Sequence, residues 1–284
     1  MNAVDLEKYL EGIEELPTPN FVVRRIIQLV SDPNTTVKQV QNAISMDPSM
    51  SAKVLKLANS AYYALPKKVS KLSEAIMILG FKTVRNLAMS IFTKESYFSQ
   101  PIPQVDERRL WRHLVLTAMA CEVVSEILSY PNKEETFMVG LLHDLGKIIM
   151  GMLNPILLRK ILEYARKSKV NFYDVEKELP IPHHGEMAAA LFKVWGLSEI
   201  TIESARNHHT PHRVEDENSR DIVYIVHVGN VIANIVDGGH DFNFSIVDID
   251  LQVWEALNLT PKAFKTMIES VKNKQHLIEE FDTV

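Results

Sequence analysis

The spacing of hydrophobic and polar residues predicts helices along nearly the whole chain. Apolar residues recur every three or four positions, which places them on one face of a helix and leaves charged residues on the other. Because helices dominate, we expect an all-α fold. The weak alternation of residues 242–247 fits either a short strand or an extended loop. Helices are predicted over 4–16, 21–30, 36–46, 50–58, 73–79, 81–92, 105–128, 137–150, 156–165, 184–195, 199–209, 222–236, 251–257 and 261–280.

Helix-breaking and helix-capping residues mark the ends of these segments. Pro17 and Pro19 end the first helix, and Thr36 is placed to cap a later one. Gly80 is expected to end another helix in a left-handed conformation. The segment Pro101-Ile102-Pro103 is the most marked internal break. We therefore expect a boundary in the chain at about residue 103.

The composition is that of a soluble globular protein. The 284 residues suffice for one large domain or two modest ones, with 46% hydrophobic and 24% charged residues. A net charge of -5 argues against a protein built mainly to grip nucleic acid or an anionic membrane. The single cysteine, Cys121, excludes an internal disulfide and suits a reducing cytoplasm. The sequence lacks a secretory signal and an apolar run of about 18 residues, so we expect a cytoplasmic protein without a membrane-inserted segment.

One region departs from the overall acidic balance. Residues 50–95 hold eight basic side chains against two acidic ones. This surface could meet an acidic or phosphate-bearing partner, or it could be a set of ordinary solvated helix faces, which is the interpretation we favour. The basic residues are Lys53, Lys56, Lys67, Lys68, Lys71, Lys82, Arg85 and Lys94.

The pair His143-Asp144 lies inside the apolar run 137–150, which is predicted to be a buried helix. A buried, ionised aspartate is costly unless it is paired or bound to a metal. The pair could approach one ion from two directions, or it could be a packed core histidine beside a helix-capping aspartate. Other histidines favour the first interpretation, because several of them lie on core-facing stripes of separate predicted helices. The candidate set is His113, His143, Asp144, His184, His208 and His209.

These residue types define the expected chemistry. Imidazoles together with a carboxylate suit iron, manganese, nickel or zinc. More than four candidate ligands favour an octahedral or two-metal centre over a closed tetrahedral zinc site. We therefore expect one or two divalent transition-metal ions, with iron, manganese or nickel ahead of zinc.

The order of these residues resembles the HD metal-dependent phosphohydrolase superfamily, and Lys147 adds a likeness to the HD-GYP branch, which hydrolyses cyclic di-GMP. Over roughly residues 10–212 the chain is more similar to the HDOD family, the HD-related output domain of bacterial signalling proteins. That likeness implies an HD-type helical bundle with an N-terminal helical part (1–103), a metal-site core (104–212) and a C-terminal helical extension closing the site (213–284). The motifs that carry it are Leu16-Pro17-Thr18-Pro19, Met46-Asp47-Pro48, the run Val54 to Tyr63, Ala75 to Gly80, His184 to Ala188, Trp195-Gly196-Leu197 and Asn207-His208-His209.

The resemblance implies roles for individual residues. His113 matches the first ligand of HD proteins, and His143 and Asp144 match the pair that names the superfamily. The matching positions for the further ligands of the two-metal branch are His184, His208 and His209.

Three departures from the superfamily pattern argue against a fully active two-metal enzyme. The last ligand is normally an aspartate, and Asn230 stands in its place, where its amide oxygen could still coordinate a metal. The two-metal branch has a glutamate one turn before the first histidine, where this chain has Arg109. The GYP motif is absent.

Two functions follow as hypotheses. The favoured one is a regulatory module that contacts other signalling proteins and keeps a residual metal site. The alternative is a metal-dependent phosphohydrolase acting on a nucleotide or cyclic dinucleotide. In it His143 and Asp144 would hold the metal and Lys147 would neutralise a substrate phosphate. Lys147 could equally be a solvated lysine at a helix end. A phosphate ligand and a homodimer are further expectations, and nucleic-acid binding is disfavoured.

Overall fold

The computed structural model describes residues 16–99, 101–102, 105–238, 242 and 248–283. Across these residues the regular secondary structure is helical, as the sequence predicts. Two predictions lie outside the described residues, namely the helix over 4–16, apart from its last residue, and the extended segment after Phe242. The chain divides into two compact units. One contains residues 100–273 and the other contains 17–99 with 274–284. The division into 1–103, 104–212 and 213–284 follows the order of the chain and stays a prediction.

The smaller unit is built from five consecutive helices and the C-terminal segment. Its helices are α1 (Phe21–Ser31), α2 (Val37–Ser45), α3 (Pro48–Ala58), α4 (Leu72–Leu79), α5 (Phe81–Tyr97) and, at the end of the chain, α16 (Ile278–Asp282). Local sequence signals fix several of their ends. Thr36 and Gln39 form a capping box at the start of α2, as predicted. Gly80 ends α4 with φ +82° and ψ 164°, a positive φ outside the left-handed helical region that we expected.

The basic region lies in this smaller unit, where part of its charge is used internally. Lys53 is paired with Glu95, and Lys94 is paired with Asp282 at 2.8 Å. The Lys56 ammonium donates to the carbonyl of Thr283 at 2.7 Å. These contacts support the interpretation of the region as ordinary helix faces.

The larger unit contains the candidate ligands. Its helices are α6 (Glu107–Ile127), α7 (Lys133–Leu142), α8 (Leu145–Leu153), α9 (Pro155–Ser168), α10 (Phe172–Glu176), α11 (His184–Val194), α12 (Glu199–Asn207), α13 (Glu217–Asp237), α14 (Leu251–Ala256) and α15 (Pro261–Lys274). A short 3-10 helix lies at Pro211–Arg213, and another at Gln275–Leu277 belongs to the smaller unit, where it precedes α16. The prediction of one helix over 261–280 is therefore wrong in detail, since this segment is divided into three.

The predicted continuous helix over 137–150 is also interrupted. α7 ends at Leu142 and α8 begins at Leu145, so His143 and Asp144 form the turn between them. The Asp144 side chain makes no capping hydrogen bond to α8. The break therefore frees this carboxylate to point toward other helices.

Close helix packing holds this turn against its neighbours. Cys121 on α6 is buried between glycines of α7 and α13. A Cβ at Gly140 would lie 2.8 Å from its sulfur, and a Cβ at Gly229 would lie 2.5 Å from it. The absence of these two side chains lets α6 approach both helices. Burial raises the pKa of the Cys121 thiol.

The stretch Lys133–Leu153 is long and apolar enough to cross a membrane by length and composition, and 89% of its apolar window is buried inside the fold. α4 and α5 meet the same test only when taken together, and they are bent by 115°. Burial of the first stretch is the property of a core helix.

The packing of α8 on α11 yields a stability prediction. A Cβ at Gly146 would lie 1.8 Å from the backbone carbonyl oxygen of His184, whereas one at Gly151 would meet only the side chains of Ile102 and Leu158. We expect Gly146→Ala to lower the free energy of unfolding by about 3 kcal/mol or more, because backbone must move. Gly151→Ala, on the same helix, should cost clearly less. Urea denaturation measures both, and equal losses would contradict this packing.

Candidate metal centre

Six residues predicted from the sequence come together in the larger unit. They reach one point from α6, from the α7–α8 turn, from the start of α11 and from the end of α12. Two groups of side chains have ligand atoms within 4.8 Å of one another, and Asp144 belongs to both. One group adds His184, His208 and His209, and the other adds His113 and His143.

One carboxylate oxygen of Asp144 faces the α11 and α12 histidines. Asp144 Oδ1 lies 3.1 Å from His184 Nε2 and 3.4 Å from His208 Nε2. The two imidazole nitrogens are 3.2 Å apart. His209 completes the group, and its ring stacks on Tyr173 at a centroid distance of 4.4 Å.

The other carboxylate oxygen faces α6 and the turn. Asp144 Oδ2 lies 3.4 Å from His113 Nε2 and 3.2 Å from His143 Nε2. It also accepts a hydrogen bond from Lys147 Nζ at 2.6 Å. The carboxylate therefore stands between two pairs of imidazoles and carries one ammonium partner.

Hydrogen bonds on the outer nitrogens fix the orientation of three rings. His143 Nδ1 donates to the Gly140 carbonyl at 2.7 Å, and His208 Nδ1 donates to the Ala205 carbonyl at 2.8 Å. Each donation leaves Nε2 with a lone pair directed inward. Ligating histidines in metal sites are oriented in the same way.

The third ring is oriented by Glu176, which the sequence analysis did not identify. Glu176 is buried, and its two carboxylate oxygens accept from the Nδ1 and the backbone N–H of His184 at 2.5 and 2.8 Å. A carboxylate behind an imidazole raises its basicity and holds its direction. The only sequence signal was an acidic residue eight positions before His184, and charged neighbours on its C-terminal side hide it.

The arrangement fits a cation. Asp144 Oδ1, His143 Nε2 and His209 Nε2 are buried and make no hydrogen bond within the described part of the chain. His184 Nε2 and His208 Nε2 lie 3.2 Å apart, so without a bound cation one of these two nitrogens must carry a proton. Ligands about 2.1 Å from one ion are separated by about 3.0 to 3.4 Å, and the separations around Asp144 Oδ1 match this range.

Burial and neighbouring charges shift the pKa values of the candidate ligands. The pKa of His208 is lowered to about 3, because burial disfavours the charged imidazolium. Burial likewise holds the pKa of His209 well below its ordinary value. Burial opposes ionisation of Asp144, but His143 and Lys147 outweigh it and the pKa of this carboxyl is lowered. The Asp144 carboxylate and the neutral His208 and His209 are in the protonation state that a metal needs. Burial lowers the pKa of His184, but Glu176 and Asp144 raise it overall, so this imidazole would release its proton when a metal binds.

The remaining predicted residues take other positions. Asn230 is buried on α13, and its side-chain oxygen accepts from Asn234 Nδ2 at 2.9 Å. Among the described residues its side chain contacts Asn234 and makes no polar contact with the histidines. Arg109 is exposed. Lys147 is 1% exposed, so the interpretation of this lysine as a solvated helix-end residue is wrong.

A polar cavity of about 660 Å³ reaches the centre at His209. Arg213 and Lys177 contribute cations to its lining, and Tyr173 contributes its aromatic ring. His227 lines it as well and links two segments, since its Nδ1 donates to the His208 carbonyl at 2.8 Å while its Nε2 accepts from Asp250 N–H at 3.0 Å. The cavity therefore borders the buried cluster at His209.

The lowered histidine pKa values predict acid sensitivity of the metal-free protein. A buried imidazole that resists protonation lowers the free energy of unfolding of the protein as pH falls below the pKa of histidine in the unfolded chain, about 6.5. The shifted groups are His113, His183, His208, His209 and His227. His184 has the opposite effect. Burial lowers its pKa, but Glu176 and Asp144 raise it overall. Protonated His184 therefore stabilises the fold below about pH 6.5, and this contribution is lost at higher pH. For His208 alone the loss between pH 7.5 and 5.5 is about 1 kcal/mol.

Chemical denaturation of chelator-treated protein at these two pH values checks the prediction. His208→Gln should give a shallower loss than the wild type, and exposed His276→Gln should match the wild type. Stability that does not change, or that rises, from pH 7.5 to 5.5 would contradict the prediction.

The position of Glu176 predicts its effect on metal binding. Glu176→Gln keeps the shape but removes the charge that supports His184, so we expect the affinity for Mn²⁺ to fall by about 10- to 100-fold. Competition with a chromophoric chelator measures this. The exposed Glu178→Gln serves as the control, and an equal effect of both substitutions would sink the idea.

The fold is similar to solved structures over nearly its whole length. An HDOD domain protein of unknown function from Geobacter sulfurreducens gives a TM-score of 0.83 at 21% identity, with 97% of this chain and 95% of that chain covered. A candidate phosphohydrolase from Shewanella amazonensis SB2B gives 0.75 at 22% identity, with 96% of each chain covered. A candidate signal transduction protein from Marinobacter aquaeolei VT8 gives 0.77 at 21% identity, with 95% and 60% covered. At these identities the likeness shows the fold.

Two curated relatives match in sequence. An uncharacterized protein of Treponema pallidum (strain Nichols) is 26% identical over 239 residues, which are 83% of this chain and 45% of that protein. The uncharacterized protein YuxH of Bacillus subtilis (strain 168) is 21% identical over 157 residues, which are 54% and 35% of the two chains. The chain thus spans less than half the length of either relative. The HDOD domain model matches residues 16–211, and this chain therefore belongs to the HDOD family.

Proposed function

We propose that this protein is a regulatory module of bacterial signalling whose helical core holds a divalent transition-metal ion. The observation that carries the metal proposal is the buried Asp144 carboxylate, which two groups of imidazoles share. Iron, manganese or nickel suits a ligand set of several imidazoles and one carboxylate. The role is contact with other signalling proteins in the cytoplasm, with homodimer formation as one route.

Several features favour a module over an enzyme. Lys147 occupies one face of the Asp144 carboxylate. Asn230 binds Asn234, although the superfamily has an acidic ligand at this position. The similarity to a candidate signal transduction protein, and the greater length of both curated relatives, suit a domain that works within larger regulatory systems.

A metal-dependent phosphohydrolase is the second candidate, and the cavity beside His209 favours it. His184, His208, His209 and Asp144 would hold the ion, which when bound supplies Lewis acidity. Arg213 and Lys177 at the cavity lining would pair with the phosphate of a nucleotide or cyclic dinucleotide, in competition with the carboxylates of Asp174, Asp248 and Asp250 in the same lining. Tyr173 offers an aromatic surface there, and the two cations would orient the ester toward the centre.

Metal content tests the proposal. We expect the purified protein, reconstituted with Mn²⁺ or Fe²⁺ and desalted, to retain at least one ion per chain by elemental analysis. Asp144→Ala should reduce the content at least about tenfold, because it removes the ligand common to both groups. Asp174→Ala alters an exposed carboxylate of the cavity lining and should leave the content unchanged. A wild type without metal above background would end the metal proposal.

Turnover separates the two functions. The loaded protein is assayed with bis-p-nitrophenyl phosphate, nucleotides and cyclic dinucleotides. Hydrolysis that Asp144→Ala abolishes would establish the enzyme, and hydrolysis that survives the substitution would point to contamination. A metal-loaded protein without turnover, whose pull-down partners survive Asp144→Ala, is the result expected of a regulatory module.

A further inference from the structure

We propose that the Lys147 ammonium takes the place of a second metal ion, so that the centre holds one ion, on the side of His184, His208 and His209. The inference rests on the proposed metal function and names the occupancy of that site. In this arrangement each oxygen of the Asp144 carboxylate contacts a different cation.

The first step is the difference between the two sides of the carboxylate. Asp144 Oδ1 makes no hydrogen bond in the described part of the chain and faces two imidazole nitrogens at 3.1 and 3.4 Å. His209 adds another buried nitrogen without a hydrogen bond. The Glu176 carboxylate lies behind His184 and strengthens this ligand. This side therefore has three imidazoles, a carboxylate oxygen within 3.4 Å of two of them, and an acidic residue behind His184.

The opposite side already holds a positive charge. Lys147 Nζ donates to Asp144 Oδ2 at 2.6 Å, which is shorter than the distances from this oxygen to His113 and His143. A divalent ion on this side would need the same oxygen. It would also stand close to the ammonium in a site from which water is excluded, where repulsion between like charges is poorly screened.

The surroundings of Lys147 keep its ammonium in place. The residue is 1% exposed, and its Nζ lies 5.1 Å from the centre of the Phe242 ring and 6.0 Å from that of Phe172. Aromatic faces stabilise a cation at such distances. Lys147 does not line the cavity that opens at His209. Its position suits a fixed internal charge better than contact with an incoming phosphate.

Ion stoichiometry tests the inference. Wild type, Lys147→Met, Lys147→Arg and the exposed control Lys167→Met are reconstituted with excess Mn²⁺, desalted and analysed for manganese per chain. We expect one ion in the wild type, in Lys147→Arg and in Lys167→Met. Lys147→Met keeps the side-chain length without the charge and should bind two ions. Electron paramagnetic resonance should show an isolated Mn²⁺ in the wild type and a coupled pair in Lys147→Met.

Single-ligand variants locate the ion and remain informative if Lys147→Met does not fold, which circular dichroism checks. His184→Ala should weaken Mn²⁺ binding at least about 100-fold, and His143→Ala should weaken it less than about tenfold, because only the first removes a ligand of the occupied side. Equal losses would overturn the assignment of sides.

The outcomes separate the two levels of the proposal. Two ions in the wild type, or one ion in a folded Lys147→Met protein, would overturn the role of Lys147 while leaving metal binding intact. A wild type and variants that all bind no Mn²⁺ would contradict the metal function itself, and the inference would fall with it.

Discussion

The burial of one carboxylate is the constraint on which the larger unit depends. Asp144 has no exposed surface, so its charge must be balanced inside the fold. Lys147 provides one positive partner, and the imidazoles of four histidines lie within 3.4 Å of the Asp144 carboxylate oxygens. Each histidine comes from a different place in the chain. Satisfying this group therefore fixes the relative positions of α6, the α7–α8 turn, α11 and the end of α12.

The helices can meet at this point because backbone approaches backbone. Gly146 lets α8 touch the first residue of α11, which is the candidate ligand His184. Glu176 at the end of α10 then holds that ligand from behind. Packing and polar contacts are thus combined in the same few residues, so fold stability and ligand geometry cannot be changed separately there.

The sequence predicted most of the helices and the members of the cluster, because the spacing of residue types along the chain carries information about both. Helices have a periodic pattern, and Thr36 has a local capping partner in Gln39. The turn at His143-Asp144 was missed, since apolar residues continue on both sides of it and no proline marks the break. α10 has five residues, too few to show a period. Glu176 lies on this short helix, and it was missed because its burial depends on tertiary contacts that no sequence spacing reveals.

The single imidazole of His227 joins the lining of the cavity to the centre. One nitrogen of this rigid ring donates to the backbone carbonyl of His208, and the other accepts from the backbone N–H of Asp250. A displacement of the segment around Asp250 must either break one of these hydrogen bonds or turn the ring and pull on the other. The cavity lining and the candidate ligand His208 are therefore mechanically linked. The same ring connects any molecule that binds the segment before α14 to the buried cluster.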